Sequence, residues 1–189
     1  MNDTIAHLTT AQLHVGLAMI RRAPRDNGML EMIVRRPAVR AREVIEEGEL
    51  DVAEGLVGDN WRQRSSNRTV DGSPHPDMQL NVISSRVAAL VAQVKERWQL
   101  AGDQLYVDLD LSAANLPPGT QLAIGSAVIE VTNQPHTGCS KFVERFGVDA
   151  MKFVNSPLGR ELNLRGINAR VVKPGKIRVG DRLIRLATL

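Results

Sequence analysis

One cysteine in 189 residues excludes an intramolecular disulfide, and an unpaired thiol fits a reducing compartment, with the cytoplasm as the default. Aromatic residues make up only 3% of the chain. The core must therefore be built from Leu, Ile, Val, Ala and Met, and a stacking platform for single-stranded nucleic acid is excluded. Charge of one sign is equally scarce. Lys and Arg number 24 against 21 Asp and Glu, too small an excess for a dedicated nucleic-acid binder. No window approaches about 18 uninterrupted apolar residues, so no membrane span is expected. The opening Met1-Asn2-Asp3-Thr4-Ile5-Ala6-His7 has no basic region followed by an apolar stretch, and no secretory signal is expected.

What is present suffices for one domain with its own core. The apolar share is 43%, ordinary for a globular chain of this length. Residues 1–29 are weakly patterned and are expected to form an N-terminal arm or a first strand around His14–Ile20. Met29–Arg36 reads as a strand ended by Pro37, and Ala38–Glu47 as a helix stopped by Gly48. Gly55–Trp61 is a turn region, and the polar stretch Gln63–Pro76 a long loop. Between Ser84 and Trp98, Val87, Leu90, Val91, Val94 and Trp98 share one helical face. Leu105, Val107, Leu109 and Leu111 then alternate with Gln104, Tyr106, Asp108 and Asp110, which predicts a half-buried strand. Asp108 and Asp110 share its polar face, and a solvated face is favoured there over a paired-carboxylate site.

Further strands are expected at Gln121–Val131, Asn168–Val172, Ile177/Val179 and Ile184/Leu186, with turns at Pro117-Pro118-Gly119, Pro174-Gly175 and Gly180-Asp181. Many short strands with a few helices predict a mainly β (α+β) fold. The expected form is a closed β-barrel of short, mostly antiparallel strands with peripheral helices, spanning residues 30–187.

The segment Gln134-Pro135-His136-Thr137-Gly138-Cys139-Ser140-Lys141 carries the chemistry. Pro135 and Gly138 interrupt a β-like run, and a helix begins beside Cys139. A thiol at a helix start meets unpaired backbone N–H groups that favour the thiolate. Cys139, Phe142, Val143 and Phe146 step by helical spacing, which points the sulfur inward along the Phe face. Cys139 is thus either reactive or a small buried hydrophobe. His136, three residues earlier, could hydrogen-bond a thiolate or donate a proton, or could be a solvated turn residue. His7, His14 and His75 hold no ligand spacing to His136 and Cys139, so no zinc site is expected.

In order and spacing, these motifs resemble the MOSC domain, named after the C-terminal part of molybdenum-cofactor sulfurases. A strand Ala127–Val131 precedes the Pro-His-Thr-Gly-Cys turn. A helical stretch follows, then Leu164-Arg165-Gly166-Ile167-Asn168-Ala169-Arg170 and Pro174-Gly175-Lys176-Ile177-Arg178-Val179-Gly180-Asp181. Upstream, Gly55-Leu56-Val57-Gly58-Asp59 is similar to the turn near the start of such domains. The resemblance implies a cytosolic barrel that handles molybdenum cofactor or sulfur, with Cys139 carrying a persulfide or ligating molybdenum and His136 assisting protonation. Some members of the family belong to systems that reduce N-hydroxylated compounds.

The cofactor's phosphate would be held by basic residues near the motif. Lys141 and Arg165 are the candidates, with Arg145 and Arg170 also close in sequence. Asn168 could bind the pterin edge or cap a strand. The chain has no room for an aminotransferase-like domain, so pyridoxal phosphate is not expected, nor is an iron–sulfur cluster. The expected partners are a small-molecule cofactor or sulfur donor and a redox or desulfurase protein, with no nucleic acid and no membrane. A non-catalytic carrier that needs a partner enzyme is the alternative.

Overall fold

A computed structural model describes residues 5–187; the first four residues of the expected arm and the last two of the chain lie outside them. The strands are β1 (Gly28–Arg35), β2 (Glu43–Ile45), β3 (Glu47–Asp51), β4 (Gly55–Leu56), β5 (Leu80–Ser84), β6 (Leu105–Asp108), β7 (Gln121–Ile124), β8 (Ala127–Val131), β9 (Ile167–Lys173), β10 (Gly175–Arg178) and β11 (Arg182–Arg185). The helices are α1 (Thr10–Val15), α2 (Leu17–Ile20), α3 (Ser85–Ala92), α4 (Ser140–Asn155) and α5 (Pro157–Glu161).

The sheet runs β11-β7-β8-β9-β5-β6-β1, and a β1–β11 pairing closes it into a seven-stranded barrel. β2 continues from β1, and β10-β3-β4 form a small second sheet. Barrel neighbours are antiparallel except β5 and β6. A parallel pair needs a crossover. Here α3 and a 3-10 helix at Lys95–Ala101 supply it.

Alternation along the strands sorts side chains into two apolar layers. Leu30, Val82, Leu105, Val107, Ile129 and Leu183 belong to the barrel interior. Met32, Val34, Ile83 and Tyr106 face outward against Val87 and Val91 of α3 and Phe142, Phe146 and Phe153 of α4. The β6 strand is therefore covered on both faces at Tyr106, not half-buried throughout. Leu30 and Ile33 both face inward because the register slips between Leu30 and Met32, as a bulge does. Beyond Tyr106, Asp108 is tied to Arg86 at 2.6 Å, while Asp110 accepts from the Ser112 N–H. The two carboxylates serve separate structural contacts.

Three expectations fail for identifiable reasons. His14–Ile20 is helical: Thr9 and Gln12 form a reciprocal capping box, and Leu13 and Ile20 are buried. Capping decides a short segment whose apolar pattern is weak. Ala38–Glu47 contains no helix. Ile45 pairs with Ile33 and Glu47 with Arg178, so tertiary pairing overrides helix propensity. The helix expected over Ser84–Trp98 stops at Ala92, where Gln93 turns left-handed at φ 65°, and a 3-10 turn carries Trp98 into the core.

Candidate functional site

Three consecutive carbonyls at the end of the crossover form the seat of the site. The oxygen of Leu100 accepts from Arg145 Nη1 at 2.6 Å, that of Ala101 from Arg165 Nη2 at 3.0 Å, and that of Gly102 from Arg36 Nη1 at 2.9 Å. The 3-10 helix ends there with Gly102 at φ 90°, a conformation glycine adopts without steric cost. A helix end presents carbonyl groups with no partner inside the helix. In this chain guanidinium groups from the residue after β1, from α4 and from the turn before β9 satisfy them.

Two of these arginines are neutralised from below by buried carboxylates. Arg36 Nε lies 2.8 Å from Asp59 Oδ2 and Nη2 lies 2.9 Å from Oδ1, a two-pronged pair. Arg165 Nη1 reaches both oxygens of Asp103, at 2.9 and 2.8 Å, and stacks over the Phe142 ring at 5.1 Å. Asp59 and Asp103 have fully buried side chains. Burial raises the Asp103 carboxyl above its ordinary value while Arg165 pulls it down.

The seat opens into a cavity of about 190 Å³. Among the described residues, Arg36, Arg40, Arg42, Arg64, Arg145 and Arg165 line it, Lys141 joins them, and no carboxylate does. Two of the lining guanidiniums carry a buried Nε with no hydrogen-bond partner, those of Arg42 and Arg165. Desolvation, then Arg145 and Arg36, draw the Arg42 guanidinium below its ordinary value. For Arg64 the lowering comes from desolvation and Arg36, opposed by Asp59 and by the Cys139 sulfur. Arg64 and Cys139 thus share one electrostatic space. The site lacks negative charge, and an anionic ligand would supply it.

The motif loop hangs from two amide clamps. Asn155, at the end of α4, donates to the Gly138 carbonyl at 3.1 Å and accepts the Gly138 N–H at 2.8 Å. Asn168 Nδ2 donates to the Gln134 carbonyl at 3.1 Å. Between the clamps, Cys139 is the N-cap of α4, with extended dihedrals of φ −123° and ψ −179°. Its thiol is exposed and lines the cavity. The expected inward-pointing sulfur is corrected by this placement: Phe142 and Phe146 are buried, but the residue capping the helix does not follow the helical face.

His136 stands in the cavity wall with Nδ1 3.5 Å from Asp103 Oδ1. That nitrogen is buried and has no hydrogen-bond partner. Gly166 makes room beside it at φ 103°, where a Cβ would lie 2.3 Å from the Val82 carbonyl oxygen and 3.3 Å from His136 Nδ1. Burial, then Arg165, Arg36 and Arg68, push the imidazole well below 6.5. His136 is therefore neutral at neutral pH. The unfolded chain protonates this ring as pH falls through 6.5, and the folded chain does so only at lower pH. Stability is then lost on acidification by up to about 1.4 kcal/mol per pH unit. His136→Gln should flatten that part of the curve in urea titrations between about pH 7 and about pH 5; a slope equal to wild type would contradict the assignment.

Of the residues singled out from sequence, Cys139, His136, Lys141, Arg145 and Arg165 are brought to the cavity. Asn168 is not among its lining residues. It is fully buried in the barrel wall, where Asn81 Nδ2 donates to its Oδ1 at 2.6 Å. Arg170 is held by Asp77 and Glu130. Sequence reasoning missed Arg36, Arg40, Arg42, Arg64, Asp59, Asp103 and Asn155. Of these, only Asp59 lay in a motif already singled out. Among the described residues, no group of three or more His, Cys, Asp or Glu side chains is placed to hold a metal ion.

The sequence model of the MOSC domain matches residues 67–184, while no curated protein matches the chain. Solved structures share the fold. The YuaD protein from Bacillus subtilis is 15% identical at a TM-score of 0.64, covering 86% of this chain and 97% of that one. YiiM from Escherichia coli is 21% identical at a TM-score of 0.54, covering 85% and 71%. YiiM from Geobacillus stearothermophilus is 14% identical at a TM-score of 0.58, covering 85% and 75%.

Proposed function

Since the chain belongs to the MOSC domain family, we propose that its basic cavity holds the molybdenum cofactor and that Cys139 serves cofactor-dependent reduction or sulfur transfer. The observation that carries this reading is the convergence of six arginines and Lys141, without a lining carboxylate, on the cavity that bears the chain's one cysteine. The donor set fits the group. Cys139 offers a soft ligand, and a pterin dithiolene brings the other sulfur ligands with the metal. Arg42 and Arg145 would hold the phosphate, since neither is within ion-pair distance of a carboxylate among the described residues. This refines the expectation for Lys141 and Arg165: Lys141 stands at the rim, and Arg165 has its terminal nitrogens committed to Asp103 and Ala101.

When bound, the cofactor supplies two-electron redox chemistry at its metal. The protein's own contribution is to bind and orient it. The carbonyl seat fixes the Arg145, Arg165 and Arg36 guanidiniums before the ligand arrives, so little rotamer freedom is lost on binding. His136, held neutral by burial and the neighbouring arginines, would offer the ligand a neutral imidazole beside the Asp103–Arg165 pair and would not carry a proton at rest. N-hydroxylated compounds are the substrate class proposed for the reductive role.

The exposure of Cys139 supports sulfur transfer as a second reading, because a donor protein can reach the thiol. There the Cys139 thiolate attacks the outer sulfur of a donor persulfide. A new S–S bond forms on Cys139, the donor S–S bond breaks, and the donor leaves as a thiolate. In that role the chain acts as a sulfur carrier for a partner enzyme.

The phosphate seat is tested by pterin retention. Wild-type protein incubated anaerobically with the cofactor and then desalted should retain pterin, read by fluorescence after oxidation. Contacts to charged groups are worth about 1.5–3 kcal/mol each, so Arg42→Ala combined with Arg145→Ala should weaken retention by about 100-fold or more. Undiminished retention by the double variant would remove these two residues from the site.

A further inference from the structure

The cavity carries more uncompensated positive charge than one phosphate answers. Arg36 and Arg165 are matched by Asp59 and Asp103. Arg40, Arg42, Arg64, Arg145 and Lys141 are not: among the described residues, no carboxylate lies within ion-pair distance of any of them. A phosphate monoester brings about −1.5 to −2 charges at neutral pH. Like charges gathered around a partly desolvated cavity repel one another: burial first, and then Arg145 and Arg36, lower the proton affinity of Arg42.

Arg42 Nη2 and Arg145 Nη1 converge over the carbonyl seat, each 3.6 Å from where a Gly102 Cβ would stand. They make one phosphate position. Arg40 reaches the cavity from the loop after β1 that also carries Arg42, Arg64 from the loop after the 3-10 helix at Asn60–Gln63, and Lys141 from the first turn of α4, one turn before Arg145. Arg40 is held there with φ at 68°, an unfavourable backbone for a side chain other than glycine. Arg64 faces the Cys139 sulfur electrostatically. Arg40, Arg42 and Arg64 precede the segment that matches the family, which begins at residue 67. Most of the excess charge is therefore contributed from outside it.

We infer that the cavity is built for a diphosphate, one phosphate on Arg42 and Arg145 and the second facing Arg40, Arg64 and Lys141. The inference rests on the reading above that the cavity takes a phosphate-bearing ligand. The diphosphate comes either from a free nucleoside diphosphate or from a diphosphate ester carried by the pterin, and both present the same chemistry to the five cations.

Calorimetric titration of the wild-type chain with orthophosphate, inorganic pyrophosphate and a nucleoside 5′-diphosphate tests it. Pyrophosphate should bind at least about tenfold more tightly than orthophosphate, with a steeper loss of affinity as salt is raised. Arg40→Ala and Arg64→Ala should reduce pyrophosphate affinity more than orthophosphate affinity, whereas Arg42→Ala should reduce both. A nucleoside diphosphate that binds more tightly than pyrophosphate assigns the ligand to a free nucleotide, and one that binds less tightly assigns it to the pterin ester. Equal affinities for orthophosphate and pyrophosphate would overturn the diphosphate and leave the single phosphate seat standing. Binding of neither anion would remove the phosphate seat itself, and with it the reading on which the inference rests.

Discussion

Asp59→Ala is expected to lower the stability of the protein by about 3–5 kcal/mol, the cost of leaving one member of a buried ion pair without its partner. The Asp59 carboxylate receives the Arg36 backbone N–H at 2.9 Å, Arg36 Nε at 2.8 Å, Arg36 Nη2 at 2.9 Å and the Trp61 N–H at 2.9 Å. Its side chain is fully buried and that of Arg36 is 5% exposed. Truncation strands a desolvated guanidinium beneath the cavity and removes the cap of the following 3-10 helix in one step. Against a total stability of about 5–15 kcal/mol for a domain, the variant would be close to unfolding at physiological temperature.

The charge, rather than the shape, carries this effect, and a second variant separates the two. Arg36→Met combined with Asp59→Leu replaces the pair by apolar groups of similar bulk and should recover the part of the loss that comes from the stranded charge, while the Arg36 and Trp61 N–H groups and the Gly102 carbonyl stay unpaired. Urea midpoints of the three proteins decide the matter. A loss below about 1 kcal/mol for Asp59→Ala, the range of an exposed ion pair, would show that the pair is hydrated and that the seat under the cavity is not rigid.

Cys139→Ala is expected to abolish both metal retention and persulfide formation while leaving the fold intact. The residue is exposed and its side chain makes no capping hydrogen bond, so its removal creates no core cavity and leaves no polar group unsatisfied. The phosphate seat formed by Arg42 and Arg145 is untouched. Pterin should therefore still bind while molybdenum falls to background, and no sulfane sulfur should be released by cyanide after exposure to a persulfide donor. Molybdenum retained at the wild-type level would remove Cys139 as a ligand. Cyanide-labile sulfur on the variant would remove it as a carrier.

Periodicity revealed the elements whose apolar faces are unambiguous. Leu105, Val107, Leu109 and Leu111 entered the barrel interior as their alternation predicts, and Phe142 and Phe146 packed inward at helical spacing. The order of short motifs around Cys139 pointed to the family, and the barrel followed from strands punctuated by Gly and Pro. The orientation of Cys139 did not follow, because helical spacing applies only to residues with helical dihedrals and the capping residue is extended.

The arginine seat was hidden for a different reason. Arg36, Arg145 and Arg165 are distant in sequence, and they converge only because the α3 crossover delivers Leu100, Ala101 and Gly102 to the cavity. A buried arginine looks like any other surface charge until its carboxylate partner is placed beneath it. Asp59 stood in a turn motif that explains its backbone role and conceals its pairing with Arg36. Asn155 sits at the end of an amphipathic helix, where only the folded loop shows that its amide clamps Gly138.

The central claim, that the basic cavity beside Cys139 is a molybdenum-cofactor site, is tested most directly by elemental analysis. Wild-type protein would be loaded anaerobically with the cofactor and then desalted, with molybdenum and phosphorus measured on the same sample. The account predicts stoichiometric retention of both elements. Protein that emerges with neither would contradict it.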